Sequence, residues 1–153
     1  MTTPQPGYSN AVPLSQPLYG ASLGDAVRRF FKKYATFTGR ASRSEYWWWA
    51  LVSFIVITVL QSLAFITGGP GGVSADGTTY EGPGAGYLIF NIILFIYSLA
   101  VLVPTLALLV RRLHDGNFSG FFAFLLLIPF LGPIIIFVLA LLPSKPEGAR
   151  FDA

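Results

Sequence analysis

Eight polar residues in two short blocks carry whatever chemistry this chain can do. Arg40, Arg43 and Glu45 stand in GRASRSEYWWW, and Arg111, Arg112, His114, Asp115 and Ser119 stand in RRLHDGNFSG. Guanidinium groups present paired donors that match phosphate oxygens, so four of them suit an anionic lipid headgroup or another phosphate-bearing ligand. Glu45 and Asp115 suit a different role, neutralising neighbouring arginines and fixing helix ends. Arg111 and Asp115 are four apart and within reach of a local pair. Both readings stay open on the residues alone: a cationic pocket for headgroups or a partner protein, or a structural polar cluster. His114 and Asp115 are also the one place for a general acid–base pair, although an imidazole beside a carboxylate reads first as a hydrogen-bonded partner.

No catalytic signature accompanies them. His114 is the single histidine and there is no cysteine, which removes HExxH zinc sites, thiolate ligands, disulfides and thiol nucleophiles. GGPGG and GPGAG do not join a strand to a helix, so a phosphate-cradling loop is unsupported, and no GxSxG elbow is present. The expectation is a non-enzymatic protein with no metal and no cofactor.

The elements that position these residues follow from composition. Of 153 residues, 54% are hydrophobic and 11% charged, too little polar surface for a small soluble domain. The net charge of +3 comes from few, localised basic residues, which suit a membrane surface and not nucleic acid. Three charge-free stretches, residues 46–66, 87–110 and 121–142, are each long enough to cross a hydrocarbon core of about 30 Å. Trp47, Trp48 and Trp49 open the first of them, at headgroup level. Pro129, Gly132 and Pro133 interrupt the third, read here as a kinked single crossing, with a re-entrant hairpin as the alternative. Gln61, Asn91, Ser98 and Thr105 are the polar residues within the spans; none ionises, which weakens coupled transport.

Outside the spans, residues 1–21 carry Pro4, Pro6, Pro13 and Pro17 and read as a disordered Pro-rich tail without a signal peptide, although Tyr8, Leu14, Leu18 and Tyr19 would suit a docking motif. Residues 22–35 read as an interfacial amphipathic helix capped by Ser22, with Leu23, Ala26, Val27, Phe30, Phe31 and Tyr34 on one face and Arg28, Arg29, Lys32 and Lys33 on the other. Residues 67–86 are Gly/Pro-rich and read as a flexible loop, Gly116-Asn117 as a turn, and residues 144–153 as a short polar tail. Three crossings leave eight Lys and Arg on one side and two on the other, which puts the amino terminus in the cytoplasm.

The two blocks, with IPFLGP and the ending PEGARF, resemble the YhaH-like family of small bacterial inner-membrane proteins (domain of unknown function 805) over about residues 23–151. The family's closing pattern carries an Asn before the Arg and a Gly after the aromatic, where this chain has Ala149 and Asp152. The resemblance implies an integral inner-membrane location and carries no activity with it. The expected fold is therefore an all-α membrane protein with one interfacial helix and three transmembrane helices, the third kinked at Pro129/Pro133. Expected partners are anionic membrane lipids, a membrane protein or a second copy of the chain. The competing function is a small oligomeric transporter or channel subunit.

Overall fold

Three helix ends are set by caps that the chain itself supplies. In the computed structural model, which describes residues 12–152, α1 spans Leu23–Lys32, α2 Arg43–Thr67, α3 Ala85–Asp115 and α4 Leu131–Leu141. Two short strands, β1 (Gly72–Val73) and β2 (Tyr80–Glu81), and two 3-10 segments, Gly120–Leu127 and Pro146–Phe151, complete it. The Ser22 hydroxyl oxygen accepts from the Asp25 amide at 3.2 Å and starts α1. A capping box starts α2: Ser42 Oγ accepts from the Glu45 amide at 3.2 Å while Glu45 Oε2 accepts from the Ser42 amide at 2.9 Å, so two otherwise orphaned donors are satisfied reciprocally. At the end of α3, Asn117 takes φ +64°, Phe118 N–H reaches the Leu113 carbonyl and Asn117 N–H that of His114, both at 2.9 Å. That is a Schellman stop with Asn in the left-handed position.

The described chain forms two compact units. One covers residues 51–102 and contains no Lys or Arg. Its helical parts expose Phe54, Ile55, Ile92, Phe95 and Ile96. Residues 67–86 are not wholly irregular, because Gly72 pairs with Glu81 and Val73 with Tyr80 in an antiparallel hairpin. Asp76 holds its turn by accepting from Ser74 Oγ at 2.5 Å and the Thr78 amide at 3.1 Å. Gly68 and Gly84 close its base, where a Cβ on Gly68 would stand 2.7 Å from the Gly84 Cα.

The other unit covers the described residues up to 50 and from 103 onward. Leu109, Leu113 and Ile136 form its apolar centre with Tyr46, Phe118, Leu125 and Leu139 against them. Here the third apolar stretch departs from a kinked crossing. It breaks into the 3-10 segment and α4, which pack on each other. The reversal is a γ-turn: Leu131 N–H reaches the Pro129 carbonyl at 2.7 Å around Phe130 at φ 62°, ψ −55°, a strained conformation for a residue with a side chain. Gly132 sits directly against the Leu125 carbonyl, with no room for a Cβ. Lys145 N–H then bonds the Asp115 carbonyl at 2.8 Å, so the stretch returns to where it left. Pro129 and Gly132 permit this reversal, and α4 with 11 residues spans only about 16 Å.

The amino-terminal segment also differs from expectation. Residues 1–11, with Pro4, Pro6 and Tyr8, lie outside the described residues, but residues 12–21 are docked. Leu18 and Ala21 are buried, and their amides reach Glu45 Oε2 at 3.1 Å and Ser44 Oγ at 2.9 Å. Polar acceptors at the start of α2 give this Pro-rich stretch the partners its own sequence lacks.

Candidate functional site

The polar blocks meet in this second unit, and their side chains are among its most deeply buried. Arg111, Arg112, Lys33 and Asp115 rank with Phe30 and Leu113 as the largest fully buried side chains. Charges so placed must be paired or solvated by protein dipoles, and the pairing divides into two centres.

The first centre is Glu45. Its Oε1 accepts from Arg29 Nε at 2.6 Å and lies 4.0 Å from Lys33 Nζ, while Oε2 takes the Leu18 and Ser42 amides. Arg29 spends its remaining donors on the carbonyls of Val12, Pro13 and Gln16. Arg111 lies in the electrostatic field of Glu45 and donates through Nε to Ala107 of its own helix at 3.1 Å. Lys33 Nζ and Arg111 Nη2 are buried without a hydrogen-bond acceptor. Burial drives the Lys33 ammonium down from 10.5 to about 7, with Glu45 opposing the shift and the Arg29 and Arg111 charges adding to it.

The second centre is Asp115. It accepts from Arg112 Nη1 at 2.5 Å, from Tyr19 Oη at 3.0 Å and from Ser144 Oγ, with Arg40 Nη1 at 3.9 Å. Arg112 also donates to the carbonyls of Ala140 and Leu142. The pair on α3 is thus Arg112–Asp115 at i,i+3, and not Arg111–Asp115. Arg40 makes a two-pronged bond to Asp152 at 2.8 and 2.6 Å, which raises its already high pKa. Asp152, in the closing segment of the chain, is therefore the principal partner of Arg40. Arg43 stays exposed and donates to the Leu142 carbonyl at 3.0 Å.

His114 belongs to neither centre. Its Nδ1 lies 3.1 Å from the Gly39 carbonyl, and its ring stacks on Phe151 at 4.0 Å. Among the described residues no carboxylate is hydrogen-bonded to the imidazole. Ser119 caps the 3-10 segment by accepting from the Phe121 amide at 3.4 Å.

Helix α1 is rolled relative to its sequence pattern. Ala26, Arg29, Phe30 and Lys33 face inward, an arc straddling the border between the apolar and basic faces. Phe30 stacks on Trp49 at 3.4 Å. The outward arc carries exposed Leu23, Phe31 and Tyr34 beside exposed Arg28 and Lys32. The tryptophans expected at headgroup level are engaged by protein: Trp48 donates to the Ala21 carbonyl at 3.0 Å and Trp49 to Thr105 at 3.3 Å, and Trp47 packs edge-on against Phe137.

Arg29, Lys33, Tyr19, Ser42, Ser144 and Asp152 join the cluster although none of them is among the eight site candidates of the sequence. One signal was readable: Ser42-x-x-Glu45 before an apolar run is a capping-box pattern, and it marks Glu45 as inward-facing. Arg29 and Lys33, four apart, share a helix face. Tyr19, Ser144 and Asp152 leave no such trace.

Among the described residues two helices, α2 and α3, are long and apolar enough to cross a bilayer, and their apolar stretches are largely exposed, whereas the core helix of a soluble protein is mostly buried. They define a small helical chain with two candidate membrane spans and a buried polar cluster whose ion pairs centre on Glu45 and Asp115. Residues 34–153 match the family described as "Protein of unknown function (DUF805)", and the chain belongs to that family. It is 36% identical over 127 residues to the inner membrane protein YhaH of Escherichia coli K12, covering 83% of this chain and 93% of that one. It is 34% identical over 107 residues to the inner membrane protein YhaI of the same strain, covering 70% and 75%. No solved structure matches it.

Proposed function

We propose that this chain is a non-enzymatic inner-membrane component whose cytoplasmic face engages anionic lipid headgroups, with the buried Arg/Glu/Asp cluster as the framework of that face. The observation that carries the reading is the roll of α1. An exposed apolar arc of Leu23, Phe31 and Tyr34, flanked by Arg28 and Lys32, is what a helix lying in the interface presents to lipid. Arg111 and Arg112 are 1% exposed and support this surface from within, so the headgroup contacts fall to the outward cations.

In this reading α2 and α3 cross the bilayer and the third apolar stretch is re-entrant. All ten Lys and Arg then belong to one side, a stronger positive-inside bias than eight against two. The inner-membrane location follows the two relatives, whose names state it.

The test of the surface uses a spin label on Phe31→Cys in nanodiscs, with Arg28→Cys as reference. Position 31 should sit about 5–10 Å into the acyl boundary and rise when Arg28→Gln and Lys32→Gln are introduced in anionic lipid. Equal water accessibility at 31 and 28 would sink the reading. For topology, the absence of native cysteine allows single-cysteine labelling. Thr79→Cys should react with an impermeant maleimide in intact spheroplasts, and Ser22→Cys and Glu147→Cys only after lysis. Labelling of position 147 from outside would restore a third crossing.

A further inference from the structure

A cavity of about 680 Å³ lies beside the C-terminal end of α3, within the size range of pockets that hold small molecules. Its walls are apolar, chiefly Leu106, Val110, Phe124 and Leu127, and its polar wall groups are His114 and Ser119. The Gly39 carbonyl can only accept, so the Nδ1 facing it carries the proton and Nε2 presents a lone pair. That nitrogen looks toward Gly120, where a Cβ would stand 3.2 Å from Nε2 and 2.8 Å from Val110 Cγ1. The missing side chain leaves the approach to Nε2 open. Phe151 stacks flat on the imidazole, with 5° between the planes, and fixes its orientation. The Arg150 guanidinium stands 4.7 Å from the Phe151 ring centroid, which puts a cation one ring away from the cavity wall.

These features specify an amphiphile. The slot takes a hydrocarbon chain, Nε2 requires a hydrogen-bond donor such as a hydroxyl, and Arg150 favours a negative charge close by. We propose that the cavity holds one acyl chain of an anionic glycerophospholipid with a free headgroup hydroxyl, the hydroxyl donating to His114 Nε2 and the phosphate meeting Arg150. The site shares the bilayer setting of the surface reading but uses none of the α1 residues, so the two stand or fall separately. It gives His114 a binding role that needs no proton transfer, and it explains why a glycine follows Ser119.

The experiment is native mass spectrometry of the full chain from mild detergent after exposure to equimolar phosphatidylglycerol, phosphatidylethanolamine and phosphatidic acid. One phosphatidylglycerol should remain per chain. Gly120→Val should lower its retention by about tenfold, the effect of displacing about two methylenes. Because a buried valine can disturb folding, Leu127→Trp fills the slot from its exposed side and should act alike. His114→Phe keeps the ring stack and should erase the preference for phosphatidylglycerol over phosphatidic acid. The Arg28→Gln/Lys32→Gln pair should leave retention unchanged. Lipid lost in that pair but kept in both filling variants would overturn the cavity while leaving the surface reading intact. Absent or unselective retention in the unaltered chain would overturn the cavity outright.

Discussion

Glu45 is the residue whose replacement most sharply tests how this polar core is held. Glu45→Gln keeps the shape and one carbonyl oxygen for the capping box, so it removes mainly the charge. Breaking a buried ion pair by losing one partner costs about 3–5 kcal/mol, because the survivor stays buried. Two details pull the effect to the low end. Arg29 retains the Val12, Pro13 and Gln16 carbonyls, and Lys33, already near 7, can shed its proton. We expect a loss of about 3 kcal/mol, or about 6–12 °C in Tm for a chain of this size. Glu45→Ala goes further, orphaning the amides of Leu18 and Ser42 at about 1–3 kcal/mol each. Thermal unfolding in mild detergent, followed by tryptophan fluorescence, reads both variants, since Trp48 and Trp49 pack within the same unit. An unchanged Tm for Glu45→Gln would refute the claim that its charge, and not its hydrogen bonds alone, balances Arg29 and Lys33.

Two further outcomes follow from the same structure. The folded state holds Lys33 near 7 while the unfolded chain titrates near 10.5, so between these values the unfolded state binds more protons and stability rises with pH, by at most about 1.4 kcal/mol per unit. Lys33→Met should flatten the Tm profile between about pH 6.5 and 9, where the buried amine titrates; an identical slope in both proteins contradicts the assignment. Phe130→Gly should raise Tm by about 2–4 °C, relieving about 1 kcal/mol of backbone strain at the γ-turn, whereas a lower Tm would mean that the exposed ring contributes more than the strain costs.

The length of the charge-free apolar stretches was the legible part of this fold. α2 and α3 fall on the expected stretches and extend past them, α3 by five residues to Asp115. Charges usually mark the water boundary, but here Arg112 and Asp115 neutralise each other and the helix continues until Asn117 turns it off. The roll of α1 was illegible, since the interfacial pattern turns the whole apolar face to the membrane, and Glu45, carried on another helix, is what draws Arg29 and Lys33 inward. At Pro129 and Gly132 a kink and a reversal share the same residues. What selects the reversal is a set of hydrogen bonds from residues 144 and 145 back to Asp115, contacts that no local window contains. The convergence of the two polar blocks was legible as a juxtaposition, but their division between Glu45 and Asp115 was not.

The partners of Asp115 are scattered along the chain in a way that sets a schedule. Tyr19 comes 96 residues before it and Ser144 29 residues after it. A product ending between residues 116 and 143 lacks Ser144, so its Asp115 has Arg112 and Tyr19 to pair with but not the hydroxyl that completes the set. Residue 144 must therefore be in place before that carboxylate has all its partners.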